Sequence, residues 1–324
     1  MNKIIALLTV VALAGCGKGL TAAEVRQAMP NKDDVKIGTP PGSTALAADS
    51  AVVPMATVTP SGLFLTSLAL AVGVNGGTLV ILTLLEAVVN QPPTSCSGDT
   101  CTWGPGSGTF DVNVFKLSVT EVSGHHEYTL SAEPKSKPGS GFVSFLTGNA
   151  YPSGTPHKGH GDFTIDFDAE ARLDHIAGWT QTDFGTLAIT YDNRTDVAVT
   201  ATFLDGRNAD DPGPDPANPN RFNAAYDFTS SLSGGDLQVA WRTLPPDTAR
   251  TVSLHSRWTT TGQGRGDVKL TPGAIATWNE CWLGNTAQFQ LGYQMVNDLV
   301  NASFADIAAC GPFSAADYAT LTAP

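Results

Sequence analysis

The sequence predicts a mainly β (α+β) protein: an antiparallel up-and-down meander of roughly 10–12 strands, strongly curved or closed like a barrel, around one apolar helix. Three observations predict it. The chain of 324 residues holds 33 Gly and 21 Pro with only 15% charged residues, a composition of many turns and few helix formers. Beyond Trp103 the apolar positions recur with period two: in Gly161–Asp168, Phe163, Ile165 and Phe167 alternate with Thr164, Asp166 and Asp168. Before Trp103 the pattern is different. Ser61–Asn90 is the most apolar run beyond the first residues, and no charged side chain occurs between Ser50 and Leu85.

The chain opens MNKIIALLTVVALAGCGKG, with Lys3 as a basic start, an apolar stretch Ile4–Leu13, and then Leu13-Ala14-Gly15-Cys16. That order reads as a secretion signal, too short to span a bilayer as a helix. Leu13, Ala14, Gly15 and Cys16 resemble the lipobox of bacterial lipoproteins. The resemblance implies that residues 1–15 are removed and that the Cys16 thiol is acylated. Each buried acyl CH₂ contributes about 0.8 kcal/mol, so several chains on one cysteine hold stably where a single chain does not. Gly17 rather than Asp after the cysteine implies sorting to the outer membrane. The expected organisation is a signal peptide at 1–15; a lipidated cysteine, short helix and tether at 16–60; and one β-rich domain at 61–324 with an apolar helix at 78–90.

The formal net charge is −12, and removal of residues 1–15 takes away only Lys3, leaving 17 basic against 30 acidic residues. A surface of that sign repels nucleic acid and anionic lipid. Apart from Cys16 there are four cysteines, Cys96, Cys101, Cys281 and Cys310, an even number in an exported chain. The preferred pairing is Cys96 with Cys101 and Cys281 with Cys310. The other two pairings remain open, as does a four-cysteine zinc site, against which stands the absence of CxxC spacing.

Taken in order, Leu20–Met29 reads as a short helix, with Thr21 and Glu24 at capping-box spacing and Pro30 as its stop. Asn31–Pro60, rich in Pro, Gly, Ser, Thr and Ala, reads as a tether lifting the domain off the membrane. Within the apolar run, Asn75-Gly76-Gly77 predicts a break between helices near Gly62–Val74 and Thr78–Asn90. The second is apolar on nearly all sides and therefore buried. Strands are expected over Phe110–Val122, His126–Glu133 and Gly141–Gly148, with a hairpin turn at Gly124. More follow around Leu187–Tyr191, Val197–Phe203, Ala224–Phe228, Leu237–Trp241, Val252–Trp258, Val268–Leu270 and Phe289–Tyr293. Ser303–Ala309 reads as a last short helix.

Beyond the lipobox, Pro92–Pro105, Gly159–Ala169, Ser256–Val268 and Glu280–Trp282 resemble segments of a group of myxobacterial lipoproteins. This resemblance implies location and fold, and brings no catalytic residues with it.

The sequence carries no G-x-S-x-G elbow, H-E-x-x-H, P-loop or G-x-G-x-x-G, so a non-enzymatic protein is expected. Asp166 and Asp168 have the look of a paired-carboxylate site, which strand alternation already explains. Asp205, Asp210, Asp211 and Asp215 lie in an oxygen-rich loop where calcium is the alternative to an ordinary exposed hairpin. His125, His126, His157 and His160 are expected as solvated surface groups, with a zinc or copper site as the alternative. Arg265-Gly266-Asp267 is expected as a hairpin turn. No cofactor is expected beyond the lipid on Cys16. The expected partners are the membrane, through that lipid, and an apolar ligand or an envelope protein segment. The alternatives are an interaction protein with a fully plugged core, and a secreted hydrolase.

Overall fold

The computed structural model describes residues 19–41, 59–107, 112–174, 183–208, 221–244, 250–271, 276–284 and 289–324. The signal segment, Cys16, and Asp210, Asp211 and Asp215 lie outside the described residues. Fifteen strands form one antiparallel sheet in chain order: β1 (Ser95–Ser97), β2 (Thr100–Gly106), β3 (Asn113–Val122), β4 (His125–Pro134), β5 (Val143–Pro152), β6 (Gly159–Asp166), β7 (Asp183–Asp192), β8 (Val197–Asn208), β9 (Arg221–Ser231), β10 (Gly234–Leu244), β11 (Thr251–Thr259), β12 (Gly264–Thr271), β13 (Ala276–Trp282), β14 (Leu291–Val296) and β15 (Leu299–Ala305). Every pairing among the fifteen strands joins sequence neighbours, so the meander is as expected. The β3–β4 turn uses Ser123 and Gly124, both at positive φ (51° and 87°), a geometry that matches the twist of a tight hairpin.

Two expectations about the sheet are corrected. The strand count is 15, because β1 and β2 form a hairpin before the expected first strand and β15 adds an edge after β14. Among the described residues the sheet also does not close: β1 and β15 each pair with one neighbour and not with each other, so they are its two edges. Closure would require both edges to pair in register, and β1 offers only three residues while the β14–β15 register shifts at Tyr293/Met295.

Helix α1 (Ala22–Ala28) starts at the predicted box: the Thr21 side chain accepts from Glu24 N, and the Glu24 carboxylate accepts from Thr21 N at 3.0 Å. Helix α2 (Gly62–Val89) is a single unbroken helix of 28 residues, so the expected break at Asn75 does not occur. Interior glycines cost roughly 0.5–1 kcal/mol each, whereas one buried leucine returns about 1.5–3 kcal/mol. Leu63, Phe64, Leu68 and Ala71 before the glycines, and Ile81, Leu82, Leu85 and Val89 after them, are all buried against the same sheet, so packing wins. The Asn75 side chain is also engaged away from its own helix: it accepts from Ile37 N and donates to Ile37 O, both at 2.8 Å.

The helix is buried on one side only, not on nearly all sides. Leu65, Val72, Leu79 and Val80 are 42–57% exposed on the stripe that faces away from the sheet. By length and composition α2 is also apolar enough to cross a membrane. Its N-terminal half packs with Phe228, Leu237, Val239, Leu254, Val268 and Trp282, and its C-terminal half with α1 and the β2–β8 side of the sheet. Where α2 approaches β12, Gly266 is needed: a Cβ there would lie 2.8 Å from Leu63 Cβ.

The tether reading fails for residues 31–41. Val35 and Ile37 are buried, Ile37 is held by Asn75, and Asp34 is bonded to Asn193. Two other local readings are also corrected. Ser303–Ala305 belongs to β15, with a 3₁₀ turn at Ile307–Cys310, because the reversal at Asn297 and Asp298 (φ 48° and 64°) returns the chain to pair with β14. Arg265-Gly266-Asp267 lies inside β12 rather than in a turn.

Candidate functional site

Antiparallel partners point to the same face, and residues two apart on a strand do likewise. Val239, Leu254 and Val268 pack under α2, so Trp241, Val252 and Leu270, each two residues from one of these and paired Trp241 to Val252 to Leu270, share the α2-bearing face. Phe203 joins the same row through Ala224. The rings of Phe167, Phe203, Phe222 and Trp241 follow one another with centroids 5.9, 5.4 and 5.6 Å apart. Trp241, Leu270 and Trp278 remain 38–43% exposed. The result is an aromatic ledge at one end of strands β8–β13, beside the core that α2 covers, against which Leu70 and Val74 of the helix and Tyr226 and Val252 of the sheet all pack. Sequence reasoning placed most of these residues on strands but could not see the ledge, since period-two patterning does not say how far a helix covers a face.

On the opposite face, residues 313–324 cross the sheet as a strap over a polar cluster. Arg265 (2% exposed) donates to Asp267 (0% exposed) at 2.7 Å, and Asp267 also accepts from Arg257 and Asn279. Arg265 donates to Phe313 O and Ser314 O, Asp317 pairs with Arg257, and Tyr318 and Thr320 bond Asn279 and Gln238. Arg265-Gly266-Asp267 is thus internal structure. The Cys281–Cys310 disulfide anchors the root of this strap, and Cys96–Cys101 closes the β1–β2 hairpin, the preferred pairing of the four cysteines.

Asp205 lies at a positive φ of 55° and is bonded by Arg207 and Arg221, so its carboxylate is matched with cations of its own chain. Asp166 and Asp168 do not face each other as a pair: Asp166 caps the short helix α3 (Phe167–Glu170) through Ala169 N, and Asp168 pairs with Arg207 at 2.6 Å.

The histidines are less solvated than expected. His125, Tyr151 and His160 stack face to face at 4.8 and 4.7 Å. His126 is 6% exposed, with its Nδ1 unpartnered, at the edge of a 360 Å³ groove that Glu24, Gln27 and Glu121 also line. Burial lowers its pKa, and the nearby Glu121 and Glu24 oppose the shift. Asp34, bonded by Asn193, has its pKa raised by burial, partly offset by the Asn31 backbone N–H. Among the described residues no group of three or more His, Cys, Asp or Glu could hold a metal ion.

Together these features define a class: an open 15-stranded antiparallel sheet with a single long helix across one face and a strap across the other. Comparison with protein-family models, curated proteins and solved structures finds no match to this chain.

Proposed function

We propose that this chain is an exported protein of the bacterial cell envelope, lipid-anchored at Cys16 and sorted to the outer membrane, that works by binding rather than by catalysis. Its ledge takes an apolar ligand or an apolar segment of an envelope protein. The observation that carries the binding reading is the row Phe167, Phe203, Phe222 and Trp241, which runs from a buried ring at Phe167 to an exposed one at Trp241, beside an apolar helix in an otherwise acidic molecule. The anchoring reading rests on Leu13-Ala14-Gly15-Cys16 and is supported by the two disulfides, which belong to an oxidising compartment. A second reading, an interaction protein without a ligand, is favoured by the dense packing of both clusters under α2.

Native mass spectrometry of the purified ectodomain tests the binding reading, together with titration of a fluorescent long-chain fatty acid. Expected are an apolar adduct and saturable fluorescence, both reduced at least several-fold by Trp241→Ala. A clean apo mass with no saturable signal would overturn it in favour of the second reading. Palmitate incorporation that survives Cys16→Ser would sink the anchor.

A further inference from the structure

The chain beyond Cys16 becomes part of the folded domain almost at once. Leu20, 4% exposed, donates its N–H to Gly98 O at 3.1 Å, and a Cβ on Gly19 would sit 3.0 Å from the same oxygen. Two residues later α1 begins, its Arg26 tied to Val89 O at 2.7 Å and to Gln91 O at 3.2 Å. Only Gly17 and Lys18 lie between Cys16 and Gly19. At roughly 3.6 Å per extended residue the two Cα atoms are at most about 11 Å apart. A strand such as β4, ten residues long, runs about 33 Å from end to end.

We infer that the membrane-facing surface of this protein is the end of the sheet bearing the turns at Gly98–Asp99, Ser123–Gly124 and Ser153–Lys158, held flush against the bilayer by a leash of three residues. The inference rests on acylation of Cys16 and adds an orientation to it. In a meander, strand ends alternate, so these three turns lie at the same end as Gly98. The turns after β4, β8, β10 and β12 lie at the other. Trp241 near the end of β10, Val252 at the start of β11 and Leu270 near the end of β12 belong to the strand ends opposite those turns in the order of the meander. The near end carries Asp99, Glu121 and Glu127 beside His125 and Lys158. This acidic balance gains nothing from anionic headgroups, so the acyl chains alone hold it and a zwitterionic surface suffices.

The test uses the full lipidated chain in phosphatidylcholine vesicles carrying a nitroxide quencher near the headgroup. A fluorophore is placed on Thr155→Cys at the near end or Lys137→Cys at the far end, both exposed positions. The expected result is several-fold stronger quenching at 155 than at 137. A 12-residue Gly/Ser insertion between Lys18 and Gly19, adding a mean reach of about 19 Å, should bring the two signals together while leaving the protein on the vesicles. Equal quenching without the insertion, or stronger quenching at 137, overturns the orientation even though the protein is acylated. An intact mass without acyl groups on Cys16 overturns the anchor instead, so the two failures are distinguishable.

Discussion

Glu280 shows how one side chain joins helix to sheet. It is 1% exposed, and its carboxylate accepts from Ser61 Oγ at 2.7 Å, Leu63 N at 2.8 Å, Trp278 Nε1 at 3.1 Å and Gln294 Nε2 at 2.9 Å. It therefore holds the N-terminus of α2, where free N–H groups and the helix dipole favour a negative charge. Glu280→Ala leaves those donors unpaired, and a loss of about 3 kcal/mol in urea unfolding is expected. A change within 0.5 kcal/mol would mean that the helix start is held some other way. His126 sets a pH dependence. Its folded pKa lies below the ordinary 6.5, so as pH falls below 6.5 the unfolded chain takes up the proton first and stability is lost. The urea midpoint should fall between pH 7.5 and pH 5, and His126→Gln should flatten that fall. An unchanged slope in the variant would assign the acid sensitivity elsewhere. Neither role could be read from the sequence, in which Glu280 is an acid in a strand and His126 a histidine beside a turn.

At the scale of the element, α2 is the instructive case. Its apolarity was legible, and the expected limits at Gly62 and Asn90 lie within one residue of its ends; the structure adds that Ser61 caps the start by accepting from Phe64 N at 3.1 Å. Its continuity was not, because local propensity favours a break at Asn75-Gly76-Gly77 and only the sheet beneath supplies the opposing term. Gly73 and Gly76 have no heavy atom within 4 Å of a notional Cβ. Gly73→Ala and Gly76→Ala should therefore each raise stability by about 0.5–1 kcal/mol, measured by urea unfolding, as expected of an open position inside a helix. Destabilisation by both would indicate a real break. The capping box at Thr21 and Glu24 was legible in full, since its partners are three residues apart.

At the scale of the molecule, a sheet that joins only sequence neighbours must be held together across its width by what crosses it: α2 on one face and the 313–324 strap on the other. The strap depends on the Cys281–Cys310 bridge, which closes a loop of sequence separation 29. Cys281→Ser with Cys310→Ser should cost about 3–4 kcal/mol by the loop-entropy relation. Protease cleavage after Phe313 should also increase, read by mass. If stability falls without new cleavage, the strap is held by the Arg265, Arg257 and Asn279 contacts alone. The open edges follow from the same plan. β1 is three residues long, and β15 leaves Leu299 76% and Val300 50% exposed, so β15 is the edge at which self-association would begin.

The sequence by itself determined the antiparallel meander over most of its strands, the β3–β4 turn, the capping of α1 and the apolar character of α2. It also supplied the preferred cysteine pairing and the Cys16 motif on which the proposed address rests. These features arise from residues close in sequence, through alternation, turn chemistry and spacing. Only the tertiary structure decided that the sheet stays open, that α2 runs unbroken and half-exposed, that residues 31–41 dock instead of tethering, and that Arg265 and Asp267 are buried under a strap. Each of those outcomes depends on contacts between residues tens to hundreds of positions apart, such as Ser61 with Glu280 and Ile37 with Asn75. No local pattern encodes the surface that a distant segment will cover.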